Sequence, residues 1–369
     1  MAEIKPEIET FARIKVIGVG GSGGNVISRM MASRLRGVDF VAINTDAQDL
    51  HNTNAPEKIH IGKNLTKGLG AGMNPEIGRE AAEESKDEIH EALKGSDMVF
   101  ITCGLGGGTG TGASPIIAEI AQELGALTVG VVTKPFSFEG NRRMTIAEEG
   151  LQELIGRVDT LITIPNDRLL QNIDKKTTLL DAFKIVDDIL RQGVQGISDL
   201  ITVPGIINLD FADIKTIMKD AGSALMGIGR ASGEARAQEA AKQAINSPLL
   251  EVSIDGARGV IFNVSGGNDI KMDEINEAAR IITGSIDPNA KVIFGAVVDN
   301  GLRKGEIKIT VIATGFDGEK AVFPKEKKEE KEEKKVPIEK AFKAKVSPIQ
   351  EEEDELDIPA FIRRKIKEK

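Results

Sequence analysis

Neither tryptophan nor tyrosine occurs in the 369 residues, so the polar aromatic anchors common at protein interfaces are missing. A single cysteine, Cys103, excludes an internal disulfide, and its place in an apolar run suits a small core residue. The three histidines, His51, His60 and His90, fall in no metal-ligand spacing. No apolar run is long enough to span a bilayer. The charged opening from Met1 to Glu7 lacks the apolar stretch of a signal peptide, so the expected location is cytoplasmic. A net charge of −9 argues against a nucleic-acid-binding surface. Gly-x-x-x-x-Gly-Lys-Ser/Thr is absent, which excludes a P-loop and its phosphate-reaching lysine.

What the chain does have is glycine at the ends of strands. The apolar run Met98–Cys103 reads as a buried strand, and Ile116, Ile117, Ile120 and Leu124 follow at helical spacing. Between them stands Gly106-Gly107-Gly108-Thr109-Gly110-Thr111-Gly112. A strand-to-helix turn of this kind aims free backbone N–H groups and a helix dipole at one point, which suits a phosphate. Arg13–Gly20 reads as a first strand, followed by Gly21-Ser22-Gly23-Gly24-Asn25 and a helix with Val26, Ile27 and Met30 on one face. A second strand, Val38–Asn44, ends in Asn44-Thr45-Asp46. A third glycine loop, Gly68 to Pro75, opens a helix expected from about Glu76 to Leu93. Strands are expected at Leu127–Thr133 and Thr160–Ile164, the latter closed by Pro165-Asn166-Asp167. The alternation predicts an α/β fold: a Rossmann-like parallel sheet with helices on both faces, whose ligand binds beyond the carboxyl ends of the strands.

Gly18, Gly20 and Gly23 also fit G-x-G-x-x-G, and Asp46 stands near the place of a ribose-binding acid. An NAD(P)-dependent oxidoreductase is therefore a rival reading, although that pattern includes no second glycine loop.

Thr178 to about Thr202 reads as one helix on the order of 37 Å long. Leu179, Leu180, Phe183, Val186, Ile189, Leu190, Val194 and Ile197 form its apolar face, and Pro204-Gly205 stops it. Phe183 and Asp187 share a face near its start. In isolation they fit a core ring and a solvated charge. A ring and a carboxylate so placed can also stack on a purine and accept from guanine N1–H and its 2-amino group. Beyond the far end stands Asn208-Leu209-Asp210-Phe211-Ala212-Asp213, where Asp210 can cap a helix from Phe211 to Lys219. Residues 221–315 predict a smaller α+β domain. Its strands are near Ser223–Gly229 and at Gly259–Val264, Lys291–Val298 and Glu306–Ala313, and its helices at Gly233–Ile245 and Met272–Thr283. Every residue from Lys325 to Lys335 is Lys or Glu, a composition expected to stay disordered. After the acidic run Glu351–Glu355, Ile358, Phe361, Ile362 and Ile366 fall on one helical stripe that could fold on a partner.

The run from Gly106 to Gly112 resembles the G-G-G-T-G-[ST]-G signature of the tubulin/FtsZ superfamily of GTPases. The likeness extends from about Ile14 to Gly315 and returns at Leu356–Arg364. It implies GTP or GDP as ligand, with Mg²⁺ and no protein metal ligand. It assigns nucleotide contacts to Gly21, Ser22, Gly23, Gly24, Asn25, Asn44, Asp46, Ala71, Gly72, Gly104, Gly107, Gly108, Thr109, Gly110, Thr133, Pro135, Glu139, Arg143, Asn166, Phe183 and Asp187. Asn208, Asp210 and Asp213 match the family's N-x-D-F-A-D loop, whose aspartates position the attacking water. A helix on the order of 37 Å separates these aspartates from the base-reading end. They would reach a neighbour's nucleotide in a head-to-tail stack, and a heterologous contact of that kind propagates as a filament. The implied protein is the cytokinetic filament GTPase, at the division site on the inner face of the membrane, held by a tether at 356–364. Expected divisions are a flexible 1–12, a GTP-binding domain 13–177, a central helix 178–203, a polymerisation domain 204–316, a charged linker 317–353 and a docking peptide 354–369. A third reading, a nucleotide-binding filament without hydrolysis, is disfavoured by the two aspartates.

Overall fold

Strands buried on both faces need apolar residues without alternation, and such runs build one half of the sheet. The computed structural model describes residues 12–33, 35, 37–170, 177–203, 210–247, 250, 253–299 and 301–316. Asn208, the Pro204-Gly205 stop, residues 1–11, the charged linker and the docking peptide lie outside the described residues.

In chain order the first half comprises β1 (Ile14–Val19), α1 (Gly20–Ala32), β2 (Val38–Asn44), α2 (Ala47–Asn52), β3 (Glu57–His60), α3 (Lys63–Thr66), α4 (Pro75–Glu84), α5 (Lys86–Leu93), β4 (Met98–Gly104), α6 (Thr109–Glu123), β5 (Leu127–Lys134), α7 (Asn141–Ile155), β6 (Thr160–Pro165) and α8 (Asn166–Leu170). The long α9 (Leu179–Thr202) follows. Then come α10 (Phe211–Met218), β7 (Gly222–Ser232), α11 (Arg236–Ile245), β8 (Gly259–Gly266), α12 (Met272–Thr283), β9 (Lys291–Val298) and β10 (Glu306–Thr314).

The strands form one ten-stranded sheet in the order β3-β2-β1-β4-β5-β6-β7-β10-β8-β9. β1 to β6 are parallel, with Val16 opposite both Phe40 and Phe100. Their order, 3-2-1-4-5-6, is the doubly wound one, and its direction reverses between β1 and β4. β10 runs antiparallel between β7 and β8, and β9 is parallel to β8. β6 and β7 meet only through Thr160–Ile162 and Gly222–Ala224.

Successive strand residues point to opposite faces. Val16 therefore joins a core that contains Val26, Ile27 and Met30 of α1 and Val186, Leu190 and Val194 of α9. Ile17 joins another, with Ala81 of α4, Ile117 of α6 and Leu151 of α7. A third core gathers Ala240 and Ala244 of α11, Phe262, Ile282 and Val311. The 24 residues of α9 rise about 36 Å, and Thr178 caps its start by accepting from the Asp181 N–H.

One expected helix is corrected. Glu76–Leu93 is two helices, broken at Ser85 (φ −108°, ψ 21°). Serine competes with helix backbone for hydrogen bonds, and Ser85 Oγ accepts from the Gly62 N–H at 3.4 Å.

Candidate nucleotide site

The three glycine loops meet at the carboxyl edge, at the reversal between β1 and β4. Ser22 Oγ accepts from the Gly104 N–H at 2.7 Å, tying the loop after β1 to the loop after β4. The Gly108 N–H donates to the Gly72 carbonyl at 2.9 Å, tying in the loop before α4. This last approach demands glycine: a Cβ on Gly108 would lie 2.5 Å from Gly72 O and 2.9 Å from the Ala71 methyl. Next to it Gly107 faces open space, with nothing within 4 Å of where its Cβ would stand. α1 and α6 both begin here with no acidic residue in the first turn, so their positive dipole ends are uncompensated from within. Gly21, Gly23, Gly24, Ala71, Gly72, Gly104, Gly107, Gly108, Thr109 and Gly110 are thus drawn to one place, with Ser22 and Asn25 exposed beside them. Free N–H groups and helix N-termini so gathered suit an anion, hence the term anion cradle.

Asn44 and Asp46 turn inward. Asn44 Nδ2 donates to Asp49 Oδ2 at 2.8 Å, and Asp46 Oδ1 accepts from the Gln48 and Asp49 N–H groups at 2.9 Å each. Asp46 is therefore the cap of α2, which explains its position without a ribose and weakens the oxidoreductase reading. Thr133, next to last in β5, accepts on its carbonyl from the Leu105 N–H at 2.9 Å, and Pro135 is buried just beyond the strand. Glu139 bridges two neighbours: Oε1 accepts from the Phe136 N–H at 2.9 Å, and Oε2 pairs with Arg143 Nη1 at 3.1 Å. Arg143 Nε is buried without a partner.

At the start of α9 the Phe183 ring meets Phe136 edge-on at 5.4 Å, and Phe136 stacks on Phe138 at 5.0 Å. Phe183 keeps 39% of its surface exposed, enough for a flat ligand to cover. Asp187 Oδ2 pairs with Arg29 Nε at 2.8 Å. Burial pushes its carboxyl above the usual range, against the pull of Arg29. Asn166 opens α8 almost fully buried, yet its Oδ1 accepts nothing. An orphaned acceptor of this kind fits a donor that a ligand would bring.

Asp210 and Asp213 stand past the other end of α9, both exposed. Asp210 Oδ1 accepts from the Asp213 N–H at 2.7 Å, so the cap of α10 is real. It leaves the Asp213 carboxylate uncommitted to that cap. Among the described residues no three His, Cys, Asp or Glu side chains cluster as a metal site.

Sequence reasoning missed Arg29, Thr45, Asp49 and Phe136. Each acts through a partner far along the chain or through a turn with no motif. Thr45, for example, lies 2.6 Å by its hydroxyl from Thr109.

A doubly wound sheet carrying three joined glycine loops at its switch point defines a phosphate-binding α/β protein. Residues 13–174 match the family model of the tubulin/FtsZ family GTPase domain, and 222–317 match that of the FtsZ family C-terminal domain. An empty FtsZ dimer from M. jannaschii is similar at 50% identity and a TM-score of 0.80, over 83% of this chain and 89% of that one. A point mutant of M. jannaschii FtsZ gives 49% and 0.80, over 84% and 92%. A GTPγS-bound protofilament of CetZ2 from Haloferax volcanii shares the fold, with 21% identity and a TM-score of 0.71 over 83% of this chain and 94% of that one. The chain belongs to the tubulin/FtsZ family and is a GTPase.

Proposed function

We propose that the chain binds GTP across the three glycine loops, polymerises head to tail and completes hydrolysis between subunits. The observation that supports this reading is the length of α9, about 36 Å, with Phe183 and Asp187 near its start and Asp210 and Asp213 following its end in the chain. The loop N–H groups and the dipoles of α1 and α6 would hold the phosphates. Phe183 would cover the purine, while Asp187 accepts from guanine N1–H and its 2-amino group. Adenine, lacking that amino group and with an acceptor at N1, would leave the carboxylate unpaired and be rejected. Asn166 Oδ1 would find its donor on the same base.

Asp210 and Asp213 of the next subunit, with Asn208, would orient and deprotonate the attacking water. Mg²⁺ would neutralise developing charge, and without a carboxylate cage here it would sit mainly on phosphates and water. On this reading 13–177 is the nucleotide domain, 178–203 the spacer and 204–316 the face that meets the next nucleotide. The peptide 356–364 would dock a membrane tether, placing the filament at the division site on the cytoplasmic face. Among the described residues no helix is long and apolar enough to cross a membrane.

Measuring GTP hydrolysis against protein concentration tests the proposal. Activity per subunit should rise steeply above a threshold. Constant activity down to high dilution would mean that one chain holds the whole site.

A further inference from the structure

Thr45 joins β2 to α2 and is completely buried. Its carbonyl accepts from His60 Nε2, at the end of β3, and from Thr66 Oγ1, at the end of α3, each at 3.2 Å. Its hydroxyl lies 2.6 Å from that of Thr109, the first residue of α6 and the edge of the anion cradle. β3 and α3 thus hold the Thr45 backbone while α6 meets its side chain. Pinned on its carbonyl side, Thr45 can face Thr109 with little freedom.

We propose that Thr45 is the positioning residue that turns the Thr109 hydroxyl toward a phosphate oxygen. The inference rests on the nucleotide reading above. A hydroxyl has one proton, so only one of these two can donate within the pair. If Thr109 donates, its oxygen shows a phosphate only lone pairs, and the phosphate has only lone pairs to return. If Thr45 donates, the Thr109 proton is free for the anion. A bound phosphate therefore fixes the direction: Thr45 donates to Thr109, and Thr109 donates to the phosphate oxygen. In a buried setting each bond of such a chain polarises the next.

The test is a hydroxyl series in the full chain: Thr45→Ser keeps the group, Thr45→Ala removes it, and Thr45→Val removes it while keeping the shape. Affinity for GTP and GDP should stay within about twofold for Ser and fall about five- to twentyfold for Ala and Val alike. In a Thr109→Val background, Thr45→Val should add no further loss, since the two act as one unit. Thermal unfolding of each variant separates lost binding from lost fold, and the Ser-to-Ala comparison stands if Val disturbs packing. Equal losses for Ser and Val would show that the residue acts by packing, and independent losses in the double variant that it does not act through Thr109. Unchanged affinity in Val would likewise overturn the proposal. A wild-type chain that binds no guanine nucleotide would instead fail the reading of the site itself.

Discussion

Arg29 Nε and Asp187 Oδ2 stand 2.8 Å apart, an ion pair that fastens α1 to α9 near the start of α9. Burial lifts the Asp187 carboxyl and Arg29 holds it down, so the cation keeps an acceptor ionised where a base would need it. Asp187→Ala should cost discrimination for guanine over adenine more than phosphate affinity, by roughly 1.5–3 kcal/mol per lost bond at most. Arg29→Ala should make that discrimination weaken as pH falls, because the carboxyl, raised by burial and no longer held down by the cation, takes up a proton more readily. Competition binding with GTP and ATP across a pH series reads both effects. Unchanged preferences in both variants would make Asp187 a structural ion pair.

The glycines of the signature loop should separate fold from function. Gly107→Ala adds a methyl to open space, so its melting temperature should match wild type. If the phosphate comes there, nucleotide affinity should fall at least about tenfold, roughly 1.4 kcal/mol. Gly112→Ala would place a Cβ 1.9 Å from the Pro75 carbonyl oxygen, and its thermal unfolding should show α4 prised from α6 whether or not ligand is present. A Gly107→Ala variant that melts early but binds normally would reverse the assignment.

Asp210 caps α10, and the hydrolytic role proposed for it can be split from that cap by substitution. Asp210→Ala should lose the cap of α10, worth about 0.5–2 kcal/mol, together with hydrolysis. Asp210→Asn keeps a good capping side chain, so it should regain the stability and still fail to hydrolyse. Both should bind GTP, and either mixed into wild type should depress turnover by silencing a neighbour's nucleotide. Normal hydrolysis by the Asn variant would reduce Asp210 to a cap.

Asp199, on α9, faces Lys308 of β10, Asp299 after β9 and Arg191 and Gln195 of its own helix. Burial raises its carboxyl to about 6, with Lys308 the largest opposing influence. The folded chain therefore holds this proton more tightly than the unfolded one. The contribution is fully present below the ordinary value of 3.8 and is lost as pH rises through about 6. Asp199→Asn removes the dependence and should stabilise by about 1–3 kcal/mol near pH 8, with little gain near pH 4. Lys308 retains Asp299 at 3.7 Å. Equal shifts in melting temperature at both pH values would place Asp199 in effectively aqueous surroundings.

The strands of the first half were legible because burial on both faces writes itself as unbroken apolar runs, as in Met98–Gly104. Glu57–His60 was not, since it is a short edge strand with one buried residue. The break at Ser85 was hidden because no glycine or proline marks it, and the partner its hydroxyl meets, the N–H of Gly62, is remote in sequence. The glycine loops announced the cradle, because backbone approach needs a particular residue type. The ties that shape it did not, for Arg29 and Asp187 are 158 positions apart and Thr45 and Thr109 are 64 apart. A pair of ordinary polar residues at such separations leaves no local pattern.

The junction of β6 and β7 has a mechanical meaning. Three register pairs join them, against six between β5 and β6 and eight between β7 and β10. Tension entering through the glycine-loop half and leaving through β10 is carried by that short seam, with α9, which packs against both β5 and β9, as the bypass. Pulled from its two ends, the molecule should yield first between Ile162 and Ala224, while the strand pairs on either side still hold.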